Sequence, residues 1–565
     1  MKGHVCLVWA LWAMLWSWPT YSAEPSAPRR IRLVMLVCFD DLKPALGCYG
    51  DLNAKTPHLD RVAARGIKFT RAYCNQAVCA PSRNALLTGL RPQTLGVYDL
   101  GTHFRHAAPD ATTLPQYLRR FGWRAESLGK IFHVGHGNHD DEPSWSVPSW
   151  KTSVVAYALP ESRAPQGLTR EEALFSNRPA NNLPRGAAWE QADVADDAYP
   201  DGQLAAEVIR RLHRLAARPE DKVFMAVGFV KPHLPFAAPR KYWDLYDQLM
   251  LPVAGHQAPP QGAPKYAPQF GGELRQYRDI PESGPIPESL QRMLIHGYYA
   301  AVSYVDAQFG KILQALEQHH LLEETLLVVW GDHGWHLGDH GIWCKHTNYE
   351  QATRIPLIVS GPGVAVGKTA STFVETVDIY PTLCEWLGLP VPNTLDGRSF
   401  AHVLRHPELP HRDHVIHVYP RQVAGRGTVL GRAVRTDQYR LVEWKSLTQE
   451  DDHPEWELYD YVRDPLETRN LAHDHGALLS ELRALLDRHP LPRPPVTMPN
   501  TSRSNQRDRE TLFRNKDKNG DGVLSEEEFL ANQPDPSEAP KRFRRFDVNG
   551  DGKLSRDEFV HQGRL

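Results

Sequence analysis

The sequence predicts a large α/β domain with a doubly wound sheet, then a smaller α+β subdomain, then an all-α module at the C-terminal end. Three observations carry this. Apolar runs at 31–39, 223–229 and 325–330 each end in polar residues and alternate with stretches of helical spacing, as buried parallel strands and their crossover helices do. From about 411 to 488 the pattern changes to short strands (415–419, 431–435, 439–444, 457–460) and a helix over 477–486. Beyond a Pro- and Ser-rich linker at 489–505, two acidic twelve-residue loops repeat in tandem.

The first 23 residues carry Lys2 and His4, an apolar run over 5–16, and small residues up to Ala23, the order of a secretory signal peptide. The run is too short to span a bilayer comfortably and no other stretch approaches that length, so the expectation is a secreted or periplasmic protein without a membrane span. The 65 Lys and Arg against 67 Asp and Glu give a formal charge of −2, which offers nucleic acid no attraction by bulk charge. Seven cysteines include one in the signal. Setting Cys79 aside, Cys38, Cys48, Cys74, Cys344 and Cys384 are odd in number and irregularly spaced, which argues against a disulfide framework.

In the first strand run, 31–39 ends in Asp40-Asp41, two carboxylates at the strand edge where α/β sheets bind ligands. Cys79-Ala80-Pro81-Ser82-Arg83 then reads as a helix entry, with Pro81 suited to a first helical position and Gly89 placed to end the helix. Cys79 would sit at a helix N-terminus, where unpaired N–H groups favour an anion. A helix over 114–121 precedes Gly129-Lys130-Ile131-Phe132-His133, which the flanking glycines mark as a loop. Residues 134–200 lack periodicity and suit the irregular rim of a site, whereas 204–217 has helical spacing. The strand at 223–229 runs into Lys231-Pro232-His233, and residues 252–288, rich in Pro and Gly, read as a long surface excursion. Val302, Val305, Phe309, Ile312 and Leu316 recur at helical intervals before the strand 325–330, which meets Asp332-His333-Gly334-Trp335 and then Trp343-Cys344-Lys345.

The terminal loops place oxygen donors at positions 1, 3, 5 and 12 with Gly at 6: Asp517, Asn519, Asp521 and Glu528, then Asp547, Asn549, Asp551 and Glu558, with Val523 and Lys553 supplying the position-7 carbonyls. Phe513, Phe529, Phe546 and Phe559 flank them as a shared core would require. Two such loops in tandem specify an EF-hand pair.

Taken in order, Asp40-Asp41, Cys79-x-Pro-Ser-Arg83, Gly129-Lys130-x-x-His133, Lys231-Pro232-His233, Asp332-His333-Gly334 and Lys345 resemble the type I, formylglycine-dependent sulfatases of the alkaline phosphatase superfamily. Cys48-Tyr49-Gly50, Gln76-Ala77-Val78-Cys79 and Lys231-Pro232-His233-Leu234-Pro235-Phe236 are most similar to its iduronate-2-sulfatase branch. The similarity covers roughly residues 30 to 488.

The resemblance implies an alkaline-phosphatase-like catalytic domain with a central mixed sheet over 28–400, a subdomain over 401–488, and, outside it, the linker at 489–505 and the EF-hand pair at 506–562. It implies that Cys79 is oxidised to 3-oxoalanine (formylglycine) by a formylglycine-generating enzyme, and that Ca²⁺ is held by Asp40, Asp41, Cys79, Asp332 and His333. His333 stands where many sulfatases carry Asn or Asp and matches the iduronate-sulfatase branch. Arg83 and Lys130 would hold the gem-diol and sulfate, and His133 would take a proton as sulfate leaves. His233 and Lys345 would touch the bridging oxygen. The implied activity is sulfuric ester hydrolysis on a sulfated sugar or polysaccharide. A phosphomonoester or phosphonate hydrolase, or a non-catalytic calcium-dependent carbohydrate-binding protein, are the alternatives.

Overall fold

The computed structural model describes residues 30–496 except 153–155, 164–168, 170–171, 173–182, 270–271 and 450, and residues 509–562 except 511 and 532–538. The signal sequence at 1–23 and part of the linker fall outside the described residues.

The chain forms β1 (Leu33–Asp40), β2 (Gly66–Tyr73), β3 (Arg124–Gly129), β4 (Trp189–Ala192), β5 (Val223–Pro232), β6 (Phe236–Pro239), β7 (Thr325–Gly331), β8 (Arg354–Ser360) and β9 (Lys368–Glu375). Seven of these make one mixed sheet in the order β3-β5-β1-β7-β8-β2-β9. The first four run parallel, β8 opposes both of its neighbours, and β9 runs with β2.

The strand β1 is buried along its whole length because the sheet is covered on both faces. Leu33, Met35, Val37 and Phe39 face one core, with the helices Pro200–Ala216 and Glu288–Gln318. Val34, Leu36 and Cys38 face the other, with Leu86 and Leu87 of the helix Cys79–Thr88 and Leu114 and Leu118 of the helix Leu114–Arg120. Register aligns the strand ends: Phe39 lies opposite Phe229 and Gly331, and Gly129 opposite Gly228. One edge of the sheet thus gathers the polar residues at the C-terminal ends of four strands.

A second, antiparallel sheet contains β10 (His414–Val423), β11 (Gly427–Thr436), β12 (Tyr439–Ser446) and β13 (Glu455–Asp460), backed by the helix Gly476–Leu486. Apolar contact among Tyr73, Phe373 and Val415 joins it to the large sheet. Buried ions reinforce the joint: Arg412 grips Asp378, and Glu375 accepts from Arg91 and from the Ile416 N–H. The terminal module has Phe513, Phe529, Phe543, Phe546 and Phe559 in one core. Its two loops pair through the three-residue strands β14 (Val523–Ser525) and β15 (Lys553–Ser555), a short ladder within an otherwise helical module.

All six cysteines of the described residues are free. Among those residues no helix is long and apolar enough to cross a membrane. The stretch 252–288 differs from its expectation as a surface excursion, since Leu274, Tyr277, Ile280 and Ile286 are buried in the core beneath the Glu288–Gln318 helix. Its Pro and Gly content forecasts irregular backbone, which is a separate property from exposure.

Candidate active site

The helix Cys79–Thr88 starts two residues before the expected Pro81, with Val78 extended as its cap. Pro81 is tolerated there because the first N–H groups of a helix have no acceptor within it, and the Ser82 N–H makes the first bond, to the Val78 carbonyl at 3.1 Å. Gly89 closes the helix at φ 68° as expected. All ten residues are buried, so the helix end carrying Cys79 is held within the protein.

Arg83, one turn on, is 1% exposed and divides its guanidinium among three segments. Its Nε donates to Asp332 Oδ2 at 2.9 Å, Nη2 to Asp40 Oδ1 at 3.2 Å, and Nη1 to the carbonyls of Lys130 and Ile131. The rigid fork of donors makes arginine the residue for this junction. Lys130 Nζ bonds Asp40 Oδ2 and lies 3.9 Å from Cys79 Sγ. That turn passes so close to β5 that a Cβ on Gly228 would stand 2.0 Å from the Lys130 carbonyl oxygen.

Asp41 adopts φ 62°, a left-handed conformation that Asp tolerates better than most residues. Its N–H donates to Asp332 Oδ1 at 3.0 Å, and its carbonyl accepts from Tyr298 at 2.8 Å. His333 donates from Nδ1 to the Gly334 carbonyl at 3.0 Å, which leaves the Nε2 lone pair facing Cys79 Sγ at 3.4 Å. Burial lowers its pKa to about 4, so the ring is neutral.

On the opposite side, Lys345 Nζ bonds Asp41 Oδ2 at 3.1 Å and Glu273 Oε2 at 2.6 Å, over the ring of Trp335. His233 Nε2 lies 2.8 Å from Glu273 Oε1, and Nδ1 lies 2.6 Å from the Leu234 carbonyl. Acceptors at both nitrogens require hydrogen on both, so His233 is an imidazolium. Burial opposes that charge, and Glu273 more than offsets it to raise the pKa. For His133 burial acts first and Lys130 next, holding its pKa well below the usual value and the ring neutral. His133 Nε2 meets His136 Nδ1 at 3.2 Å.

Burial would raise Asp40, but Lys130 and Arg83 hold it well below the carboxylate range. Burial together with Asp40 pushes Asp332 up to about 7, and burial raises Asp41. Burial also pushes the Cys79 thiol well above its ordinary value, so as a thiol it is a poor nucleophile.

The carboxylates gathered here suit a hard cation, whereas the Cys79 sulfur and the His333 nitrogen are softer donors. One donor atom from each of Asp40, Asp41, Cys79 and His333 lies within 4.8 Å of the others, and buried Asp41 Oδ1 has the Lys345 ammonium 3.0 Å away. Asp332 adjoins the group with oxygens that accept from Asp41 N–H, His333 N–H and Arg83. Asp41, His233 and Glu273 also converge, but there the Lys345 ammonium already bonds both carboxylates.

The terminal loops lie at the surface. Asp517 accepts from the N–H groups of Gly520 and Gly522, and Asp547 from those of Asp551 and Gly552. Asn519 and Asp521, and likewise Asn549 and Asp551, accept from the backbone two residues on. Glu528 and Glu558 reach back to Lys518 N–H and Val548 N–H, while in the ladder between the loops Val523 lies opposite Ser555 and Lys553 opposite Ser525.

All the sequence-predicted residues of the α/β domain lie along the one sheet edge. Glu273, His136 and Trp335 touch these residues and are not among the sequence-predicted set. Glu273 comes from the stretch read as an excursion, and no local spacing marks it; Trp335 was visible only as part of its motif.

Comparison with known proteins finds three family profiles along the chain, the first two overlapping. A sulfatase family profile matches residues 32–389, one for the N-sulphoglucosamine sulphohydrolase C-terminal region matches 338–489, and an EF-hand profile matches 510–531 and 541–561. Iduronate 2-sulfatase of Mus musculus is 32% identical over 523 residues, covering 80% of this chain and 93% of that protein. Among solved structures, the phosphonate monoester hydrolase of Silicibacter pomeroyi aligns with a TM-score of 0.63 at 22% identity, over 81% of this chain and 94% of that one. An enzyme solved with its substrate D-glucosamine-2-N,6-O-disulfate aligns with a TM-score of 0.62 at 21% identity, over 81% and 97%. These two likenesses speak for the fold.

Proposed function

From the premise that the chain belongs to the sulfatase family and is a sulfuric ester hydrolase, we propose that it removes sulfate from a sulfated carbohydrate, a uronate 2-sulfate in the first instance, by way of Cys79 oxidised to formylglycine. The observation that carries this reading is the setting of Cys79 Sγ, 3.4 Å from His333 Nε2 and 3.9 Å from Lys130 Nζ, grouped with Asp40 and Asp41, on a thiol that burial makes unreactive as it stands. A hydrated aldehyde at that place has two hydroxyls on one carbon. One hydroxyl loses its proton as its oxygen attacks sulfur, the S–O bond to the sugar breaks and the bridging oxygen leaves with the sugar, taking up a proton; the second hydroxyl then loses its proton, the carbonyl re-forms as the C–O bond to sulfate breaks, and water re-adds to the aldehyde.

Asp40, Asp41, Asp332, His333 and residue 79 would hold Ca²⁺, whose chemistry there is to offset the charge of the diol oxygen and the sulfate. Arg83 fixes the carboxylates of Asp40 and Asp332 and, with Lys130, the sulfate end of the ester. His133, neutral beside Lys130, is suited to take the proton of the second hydroxyl. His233, held as an imidazolium, is suited to give one to the departing alcohol, with Lys345 at the same oxygen. The EF-hand loops would bind further Ca²⁺. The protein would be secreted or periplasmic and would depend on a formylglycine-generating enzyme.

Mass spectrometry of the tryptic peptide bearing residue 79 should show the aldehyde in place of the thiol. Mature enzyme should turn over 4-nitrophenyl sulfate in preference to 4-nitrophenyl phosphate, and Cys79→Ala should abolish turnover while leaving the melting temperature within a few degrees. An unaltered thiol in fully active enzyme, or dominant phosphatase activity, would overturn the proposal.

A further inference from the structure

We infer that Glu273 is a substrate-displaced member of the leaving-group site: in the substrate-free protein its carboxylate takes the hydrogen bonds from His233 and Lys345 that the ester's bridging oxygen takes on binding. The inference rests on the roles proposed above for those two residues.

An imidazole ring has two nitrogens. His233 spends Nδ1 on the Leu234 carbonyl at 2.6 Å and Nε2 on Glu273 Oε1 at 2.8 Å, so it can reach a substrate oxygen only if one of these bonds breaks. The Leu234 bond is local to the turn that carries the ring; the Glu273 bond crosses to a different segment. Lys345 Nζ is likewise committed to Glu273 Oε2 at 2.6 Å and to Asp41. Glu273 therefore fills, with a protein anion, the place the reaction assigns to an anionic ester. Without Glu273 the two buried cations would have only the Asp41 carboxylate, already bonded to Lys345, between them, so exchanging one anion for another keeps the pocket balanced before and after binding.

The segment carrying Glu273 is built for exchange. It is a single turn of helix, Glu273–Gln276, outside the sheet. Leu274 and Tyr277 anchor it in the core, and Arg275 ties it to the carbonyls of Pro281 and Gly284. Gly272 enters the turn at φ 72°, ψ −154°, a region open essentially to glycine, and a Cβ there would stand 3.2 Å from Cys344 Cβ, beside Lys345. The Glu273 side chain retains 12% exposure, more than His233 or Lys345 at 2% each, so it lies on the outer side of both.

The test uses mature full-length enzyme and the variants Glu273→Ala and Glu273→Gln. If the carboxylate competes with substrate, KM for 4-nitrophenyl sulfate and Ki for inorganic sulfate should fall together in Glu273→Ala, by about tenfold if the blocked form outnumbers the open one about ten to one. Glu273→Gln, which keeps the shape and loses the charge, should shift both in the same direction by less. Inorganic sulfate should also speed tryptic cleavage after Arg275 in the wild type and have no such effect in Glu273→Ala, where cleavage is already fast. A fall in kcat with KM and Ki unchanged would show that Glu273 only orients the donors and would overturn the inference, as would protection from trypsin by sulfate. Were the wild type to release no sulfate at all, the proposed function would fall, while the trypsin comparison would still decide the displacement.

Discussion

The sheet edge and the terminal loops both gather acids around a place for a cation, and they do so in opposite ways. In the loops every donor comes from twelve consecutive residues, the carboxylates lie at the surface, and each accepts N–H groups of its own loop. At the sheet edge the donors come from the ends of β1 and β7 and from a helix, and protein cations are packed between them: Arg83 on Asp40 and Asp332, Lys130 on Asp40, Lys345 on Asp41. A loop of the first kind can only bind. The second kind brings positive groups to the same spot as Cys79, the residue proposed to carry the reaction, which is what charge development on a transferring sulfate requires. The difference also sets what each region loses when one member is removed.

The largest loss should come from replacing Arg83. Its guanidinium is the only group among the described residues seen to bond both Asp40 and Asp332, so Arg83→Ala leaves buried Asp332 without its bonded cation beside an Asp40 held by Lys130 alone. Breaking a buried pair in this way destabilises by about 3–5 kcal/mol. Urea unfolding should show that loss, and turnover should vanish with it. Arg83→Lys, which keeps the charge and loses the fork, should recover part of the stability and little of the turnover. If both variants unfold at the wild-type urea concentration, the sheet edge tolerates unpaired acids as the loops do, and the contrast collapses.

A second pair of buried acids, far along the chain from Cys79, separates stability from chemistry. Asp378 accepts Arg412 through both oxygens, along with the N–H groups of Glu375 and Arg398. Burial would raise its pKa, but Arg412 and His411 hold it far below the usual range. Because the folded-state pKa is depressed, the stabilisation is complete above the free carboxylate value of about 4 and is lost as pH falls through the folded value. Asp378→Asn should therefore lower stability by about 3 kcal/mol or more at pH 7. The deficit should be the same at pH 6 and shrink toward pH 2, with kcat for the folded enzyme unchanged. A deficit independent of pH down to 2 would mean that the carboxylate charge is not what holds the second sheet.

Legibility in the sequence divides along the same line between local and assembled. The EF-hand loops, the strand at Thr325–Gly331 and the Cys79 helix were legible because their signals lie within a few residues: ligand spacing, an unbroken apolar run, a Pro and a Gly at the two ends. The set Asp40, Cys79, Lys130, His233, Asp332 and Lys345 was legible only by resemblance, since nothing in the spacing of residues 40 and 332 says that β1 and β7 are neighbours. Glu273 was not legible at all. Its segment has the composition of a loop, and the apolar residues that pin it down, Leu274 and Tyr277, are too few to show a period. The early start of the helix at Cys79 was missed for a related reason: Pro81 is compatible with several places in a first turn, and only the backbone decides which.

The smallest effect on catalysis should come from the region with the plainest motif. Glu528 and Glu558 close their loops from position 12, each bonded to the N–H of the residue after the loop's first acid and to its own Ser-x-x-Glu cap. Replacing both, Glu528→Gln with Glu558→Gln, removes the bidentate ligand that an EF-hand needs while leaving the phenylalanine core of the module intact. Calorimetric calcium titration of the full chain should lose two ions of the wild-type stoichiometry, while kcat and KM for 4-nitrophenyl sulfate stay within about twofold, as expected of surface sites whose charges are screened from a buried centre. A large drop in kcat would mean that the loops act on the sheet edge, and the two cation sites would then be one coupled system instead of two independent solutions.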